Sequence, residues 1–213
     1  MPDKSGFDIV IAGVGGQGNL LASRLLAHAA MSLEMDVAIA ETYGVTQRGG
    51  PVHSQVRIGH RVAGALIRSC TADLVIGLEP IEALRRAAEY LKPGGTVLIN
   101  TIVDLPLASK LGNQPKWDMD GIRRALRELQ VGSLLELNGM EIALKSGGSQ
   151  TLNVVMTGAA CALPGFPIHL EALTDSVRAL LPPKYVEANI ASLLAGYSAL
   201  NQTPAAASQA RKL

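Results

Sequence analysis

The chain has 213 residues, of which 48% are hydrophobic, 17% charged and 3% aromatic, and its formal net charge is +1. This length suffices for one domain with its own core, which the composition would build from Ala, Val, Leu and Ile. Near-zero charge, with no Lys/Arg run longer than a pair, excludes the electrostatic footprint of a nucleic-acid-binding protein. Two cysteines are too few for an iron–sulfur cluster or a four-ligand zinc site within the chain.

The N-terminus leads almost directly into a predicted strand, with no cationic segment followed by an apolar one. No apolar run reaches the length of a membrane span. The sequence therefore predicts a cytoplasmic protein with reduced thiols that contacts neither membrane nor nucleic acid.

The first hundred residues alternate between strand and helix patterns. Phe7 to Gly13 is a β-branched apolar run that predicts a buried parallel strand, and the apolar spacing from about Gly16 to Leu33 predicts a helix. A second strand is predicted at Val37 to Ala40. Residues 52–58 alternate in polarity, which is typical of a strand with one wetter face and favours an edge position.

The remaining elements follow the same rules of periodicity and capping. Strands are predicted at 73–78, 96–100 and 134–137, and helices at 79–91, 120–130, 140–145, 151–163, 170–180 and 184–200. Residues 104–118 read as an irregular excursion that carries the single tryptophan, Trp117, as a local anchor or an interface residue. Residues 1–202 are predicted to form one domain and residues 203–213 a disordered tail. The expected fold is α/β, a Rossmann-like open, mostly parallel sheet with helices on both faces and a helical C-terminal part.

A glycine-rich turn joins the first predicted strand to the first helix. Its sequence, GVGGQG, fits the GxGxxG pattern, whose backbone N–H groups and helix N-terminus can hold a phosphate. Glu41 follows at the end of the second strand, where an acid that binds a ribose would lie. The candidate residues of this glycine loop are Gly13, Gly15, Gly16, Gln17, Gly18 and Glu41. Glycines also permit close packing of helix on strand, so nucleotide binding and a structural role both remain open.

A second constellation lies in the stretch that follows the second strand, which we call the TQRGG loop. Its candidate residues are Tyr43, Thr46, Gln47, Arg48, Gly49 and Gly50. Arg48 could clamp a carboxylate or phosphate with two hydrogen bonds, and the two glycines would let backbone come close. Polar loops of this density at the carboxyl end of a strand favour a ligand or subunit contact over a simple turn.

Four segments in order resemble a known family. They are GVGGQG at 13–18, ETYGVTQRGGPVHSQVRIG at 41–59, ADLVIGLEPIEA at 72–83 and KPGGTVLINT at 92–101, with further likeness at 151–160 and 182–189. Together they resemble the gamma-type domain of 2-oxoacid:ferredoxin oxidoreductases, and most closely the beta-subunit type of the indolepyruvate enzymes. This chain differs from the indolepyruvate pattern at Tyr43, Val45 and Thr46, so a phenylglyoxylate-type relative remains an alternative.

The resemblance implies a subunit, inactive alone, of an enzyme that converts an aromatic 2-oxoacid and coenzyme A to acyl-CoA, CO2 and reduced ferredoxin. Thiamine diphosphate, magnesium and iron–sulfur clusters would belong to partner subunits, and this chain would bind no cofactor by itself. It implies that the TQRGG loop lies at an interface or on the substrate and coenzyme A side. No catalytic residue is implied for this chain. The alternatives are a nucleotide- or dinucleotide-binding Rossmann protein and a scaffold that binds only proteins.

The histidines and cysteines are expected to have structural roles. His28, His53, His60 and His169 are scattered in a way that fits surface or packing positions, so no metal site is predicted. Cys70 and Cys161 are both expected to be buried structural thiols.

Overall fold

A single β-sheet positions the helices and the loops of this fold. The computed structural model describes residues 6–42, 50–102 and 118–202. Six strands are present in these ranges: β1 (Gly6–Val14), β2 (Asp36–Thr42), β3 (Pro51–Gly59), β4 (Ala72–Gly77), β5 (Leu91–Asn100) and β6 (Ser133–Leu137). Each predicted strand is present, and most are one to five residues longer than their apolar runs because ladder hydrogen bonds continue past the buried positions.

Seven α-helices lie in the same ranges: α1 (Asn19–Ser32), α2 (Pro80–Tyr90), α3 (Met119–Glu128), α4 (Gly139–Ser146), α5 (Leu152–Cys161), α6 (Leu170–Leu180) and α7 (Pro183–Asn201). Side chains cap several of their first turns. Asp118 accepts from Gly121 N at the start of α3, and Asn138 accepts from Glu141 N at the start of α4. All the predicted helices are present, with boundaries that differ by a few residues.

The six strands form one sheet in the order β2-β3-β1-β4-β5-β6. The pairs β1–β4, β4–β5 and β5–β6 are parallel, whereas β3 runs antiparallel to both β1 and β2. The expectation that residues 52–58 form an edge strand is therefore wrong: β3 lies inside the sheet, and β2 is the edge. Polarity alternates along β3 although both its neighbours are strands.

The polar face of β3 is also largely shielded from solvent. His53 and Gln55 are buried, and Arg57 is half-buried. The segment of residues 60–71, between β3 and β4, folds back over this face: Ile67 N donates to Gln55 Oε1 (2.6 Å), and Arg57 Nη1 donates to Gly64 O (3.0 Å). Gln55 and Arg57 thus hydrogen-bond to the backbone that covers them, and because these polar groups have partners they can be buried at little cost.

Two apolar clusters cover the two faces of the sheet. Successive residues of a strand face opposite sides, so Leu74 and Ile76 belong to the larger cluster while Val75 belongs to the smaller one. The larger cluster packs against α1, α4, α5, α6 and α7, and the smaller against α2 and α3. This three-layer arrangement confirms the predicted fold class.

The predicted irregular excursion and Trp117, most of the TQRGG loop and the C-terminal tail lie outside the described residues. No helix of the described ranges combines the length and apolarity needed to cross a bilayer. The division into one domain and a disordered tail stays a prediction.

Candidate functional site

The glycine loop connects the end of β1 to the start of α1. Gly16 and Gly18 have φ values of 101° and 83°, which L-side chains rarely adopt. Gly13 faces a different constraint: a Cβ atom there would lie 2.7 Å from Gln17 Oε1 and 2.9 Å from Asn19 Oδ1. Turn geometry and close packing thus require glycine at these positions, as the structural interpretation of the motif predicts.

Several amides of this loop already have partners. Gln17 folds back so that its Oε1 accepts from Val14 N (3.0 Å), while Gln17 N donates to Val14 O (3.1 Å). Gly15 N donates to Gly50 O (2.9 Å). A phosphate would need N–H groups that point at it and are unengaged, so these three amides could serve one only after rearrangement.

The bond between Gly15 and Gly50 brings the two predicted constellations together. Gly50 ends the TQRGG loop, and Val14 pairs with Pro51 at the adjoining positions of β1 and β3. Thr42, which precedes the loop, pairs with His53 on the other side of β3. Both ends of the TQRGG loop therefore lie at the carboxyl edge of β1. Tyr43, Thr46, Gln47, Arg48 and Gly49 themselves lie outside the described residues.

Glu41 lies at the carboxyl end of β2, and its Oε1 accepts from Ser23 Oγ in α1 (3.3 Å). The antiparallel β3 separates β2 from β1, so Glu41 is not on the strand next to the glycine loop. A ribose-binding acid is typically carried by a strand adjacent to β1. The position of Glu41 therefore does not reproduce that arrangement, although α1 connects it to the loop.

Three buried asparagines surround the same edge of the sheet. Asn19 Nδ2 donates to Ile11 O (3.1 Å), and Asn153 Nδ2, from α5, donates to Gly18 O (3.0 Å). Asn100, at the end of β5, donates to Leu78 O (3.2 Å) and accepts from Met140 N (3.4 Å). They tie β1, β4, β5, α4 and α5 together at the strand ends.

Glu79 completes this buried polar group. It is fully buried, and its Oε2 accepts from Glu82 N (2.8 Å), which caps α2. Burial raises the pKa of the Glu79 carboxyl to about 7, and the nearby Glu82 carboxylate adds to the rise. A carboxyl group with this pKa exchanges a proton near neutral pH.

Three buried oxygens at this edge have no hydrogen-bond partner among the residues that the structure describes: Asn19 Oδ1, Asn153 Oδ1 and Glu79 Oε1. The two amide oxygens can only accept, and the nitrogens of the same side chains already donate elsewhere, so each site suits a group that brings an N–H or O–H donor. Buried unpaired acceptors cost free energy and so mark positions where a ligand, water or partner group completes the site. Sequence reasoning missed them; in retrospect the asparagines and the glutamate at strand ends and helix starts were the available signal.

The two thiols lie in different surroundings. Cys161 is buried, its Sγ donates to Ile168 O (3.1 Å), and burial raises its pKa to about 11. Cys70 is exposed, so its expected burial is wrong. It has a φ of 58° in the 60–71 segment, and its backbone N donates to Glu89 O. Within the described ranges, no three His, Cys, Asp or Glu side chains lie close enough to hold a metal ion.

A doubly wound sheet with buried polar groups at its carboxyl edge defines a class of α/β proteins that bind ligands or partners at that edge. Residues 8–199 match the family model described as "Pyruvate ferredoxin/flavodoxin oxidoreductase". The chain belongs to this family. It is accordingly a subunit of a 2-oxoacid:ferredoxin oxidoreductase, as the resemblance implied.

Two individual relatives match this chain over more than nine-tenths of its length. The chain is 39% identical to "Indolepyruvate oxidoreductase subunit IorB" of Methanothermobacter thermautotrophicus, over 91% of this chain and 97% of the relative. The structure of the pyruvate oxidoreductase subunit PORC of Thermotoga maritima superposes with a TM-score of 0.68 at 25% identity, covering 92% of this chain and 97% of that one.

A third relative differs in size. The ketoisovalerate oxidoreductase subunit VorA of Methanothermobacter thermautotrophicus is 30% identical over 88% of this chain, but the match covers 35% of VorA. In that protein the same unit is part of a longer polypeptide.

Proposed function

We propose that this chain is the small, structural subunit of an oxidoreductase that oxidatively decarboxylates an aromatic 2-oxoacid of the indolepyruvate type to its acyl-CoA. The identity pattern carries the proposal: 39% to an indolepyruvate oxidoreductase subunit against 25% to a pyruvate oxidoreductase subunit, each over more than nine-tenths of this chain. Substrate preference belongs to the whole assembly, so the proposal concerns the complex.

Other subunits supply the cofactors. Thiamine diphosphate with magnesium provides the carbanion chemistry on the oxoacid carbonyl, and iron–sulfur clusters carry the electrons to ferredoxin. This chain has two cysteines, one buried with its thiol bonded to a carbonyl and one exposed, which suits a subunit without a cluster. Its own residues would shape and exclude water from the region where coenzyme A and the oxoacid approach.

The TQRGG loop is the part of the chain best placed for that role. One end follows β2 and the other leads into β3, and both lie at the carboxyl edge of β1, the edge that also holds the glycine loop and the three unpaired buried oxygens. An arginine at position 48 could hold a carboxylate or phosphate through two parallel hydrogen bonds. We infer that the loop contacts either the partner subunit or the substrate side of the assembled enzyme.

Reconstitution tests the proposal. The chain and its cofactor-bearing partner subunit are purified separately, mixed, and assayed for coenzyme A-dependent ferredoxin reduction with indolepyruvate, phenylglyoxylate, pyruvate and 2-oxoglutarate. We expect no activity from either subunit alone and the highest kcat/KM with indolepyruvate. Preference for phenylglyoxylate would establish the related alternative, and activity of this chain by itself would contradict its role as a subunit.

Nucleotide binding is the second candidate, favoured by the GxGxxG turn between β1 and α1. The engaged amides of Val14, Gly15 and Gln17 and the remote position of Glu41 speak against it. Calorimetry of the isolated chain with NAD, NADP, FAD and ADP decides the matter. A micromolar dissociation constant, about −8 kcal/mol, would support nucleotide binding.

A further inference from the structure

The segment of residues 60–71 contains no helix or strand but is firmly attached at four points. The attachments are Arg61 N to Asp36 Oδ2 (2.6 Å), Arg57 Nη1 to Gly64 O (3.0 Å), Ile67 N to Gln55 Oε1 (2.6 Å) and Cys70 N to Glu89 O (3.2 Å). They connect the segment to β2, β3 and α2. Its backbone is therefore held in one conformation along much of its length.

This anchoring presents one large apolar side chain to solvent. Ile67 is buried in the smaller apolar cluster, whereas its neighbour Leu66 is 72% exposed, more than any other large hydrophobic side chain of the described residues. Gly64 and Ala65 before it are small, so Leu66 stands out from the surface. A single exposed leucine needs no explanation, but one held rigidly loses little entropy when a partner covers it.

The charge of the segment is one-sided. Arg61 and Arg68 flank Leu66, both are exposed, and residues 60–71 include no Asp or Glu. An apolar anchor with basic residues around it fits a pocket with an apolar floor and an acidic rim.

The placement of the segment separates it from the candidate site. It begins where β3 ends and finishes where β4 begins, and β3 runs antiparallel to β1. The two ends of the segment therefore lie at the edge of the sheet opposite the glycine loop, while its middle, at Ile67, covers the face of β3. A contact made here would hold the subunit in place without occupying the carboxyl edge.

We propose that Leu66 is an anchor by which this chain docks into an apolar, acidic-rimmed pocket of the larger, cofactor-bearing subunit of its oxidoreductase. The inference rests on the proposed function, which supplies that partner. In VorA the matching unit makes up only about a third of the chain, so at least one relative holds this fold next to further polypeptide. Where the units are separate polypeptides, contacts between their surfaces have to take the place of the peptide link.

The test measures the affinity of the purified chain for the purified partner subunit by calorimetry. Leu66→Asp should weaken binding about 10- to 100-fold, since a leucine that the partner would cover becomes a charge that faces an acidic rim. Arg68→Glu should slow association and reduce its salt dependence. The matched control is Leu144→Asp, which alters a leucine 63% exposed on α4 and should leave affinity unchanged.

The outcomes separate the two proposals. Circular dichroism and thermal unfolding should be the same for Leu66→Asp and the unmodified chain, because the side chain is exposed. If Leu66→Asp binds as tightly as the unmodified chain, the anchor is refuted while the proposed function stands. If the unmodified chain does not bind the partner at all, the proposed function fails and the anchor with it.

Discussion

At the scale of single residues, two glutamates occupy positions that are unfavourable for a glutamate. Glu79 is a carboxyl group without exposure to water, and Glu34 has a φ of 58°. The sequence indicated Glu79 only as the first residue of the helix predicted at 79–91. It lies between the end of β4 and the start of α2, and its burial depends on the packing of elements around that junction, which local sequence does not encode.

Glu79→Gln should remove a pH-dependent loss in the free energy of unfolding, which ionisation of the buried carboxyl group causes. Its folded pKa of about 7 is above the ordinary value of 4.5, so the folded state holds the proton more tightly. The contribution of Glu79 to the free energy of unfolding is then most favourable below pH 4.5 and falls as the pH rises towards 7; above pH 7 its cost levels off at about 3 kcal/mol. We expect the variant to be more stable at pH 8 by about 1–3 kcal/mol, because the amide nitrogen is itself left unpaired.

Urea unfolding from pH 5 to 8 measures this effect. The glutamine variant should lose the decline in stability between pH 5 and 7 that the unmodified chain shows. Glu187→Gln, on the exposed face of α7, is the control and should leave the profile as it is. Parallel profiles for Glu79→Gln and the unmodified chain would contradict the assignment.

Glu34→Gly should stabilise the chain by about 0.5–1 kcal/mol. Helix α1 ends in a Schellman motif, in which Met35 N donates to Ala30 O and Glu34 N donates to Met31 O. Glu34 occupies the left-handed position that glycine ordinarily fills. Denaturant midpoints compare this variant with Glu34→Ala, which keeps the backbone strain and should be close to neutral; equal midpoints for both would rule out strain as the cause.

At the scale of elements, two glycines allow α5 and α7 to approach closely. A Cβ atom at Gly158 would overlap the carbonyl oxygen of Leu193, and one at Gly196 would overlap that of Val155. Because higher numbers on one helix meet lower numbers on the other, the helices cross antiparallel. Both patterns predicted helices, but the sequence did not show that the two glycines face one another.

Gly158→Ala and Gly196→Ala should each destabilise the chain by about 3 kcal/mol or more. In an uncrowded helix the same change stabilises by about 0.5–1 kcal/mol, so the sign itself is diagnostic. Gly64→Ala is the control, since open space surrounds that position. Thermal unfolding gives the comparison, and unchanged midpoints would show that the helices can separate at little cost.

At the scale of the whole molecule, the insertion of β3 between β2 and β1 decides where the candidate site lies. It brings Gly50 to Gly15 and so places the end of the TQRGG loop against the glycine loop. The two constellations were predicted separately, and periodicity in the sequence gave no sign that they adjoin. Pairing order depends on contacts far apart in the chain.

Arg48→Ala should lower kcat/KM of the reconstituted enzyme by about 10-fold or more, because a charge-assisted contact to substrate or partner is lost. Subunit stoichiometry, followed by size-exclusion chromatography, tells a lost ligand contact from a lost interface. Arg178→Ala, on α6 and ion-paired only with Asp175 among the described residues, is the control. Full activity of the Arg48 variant would favour a subunit that serves purely as a scaffold.

The sequence by itself determined the order and type of nearly every element, the α/β class and the family, because apolar periodicity, glycine turns and four motif segments are local features. Only the tertiary structure decided that β3 is internal, that Gln55 and His53 are buried, that Cys70 is exposed, and that Glu79 and two asparagines converge at one edge. The reason is physical: a residue's polarity states what burial would cost, whereas the elements packed on it decide whether burial occurs and which groups meet the cost.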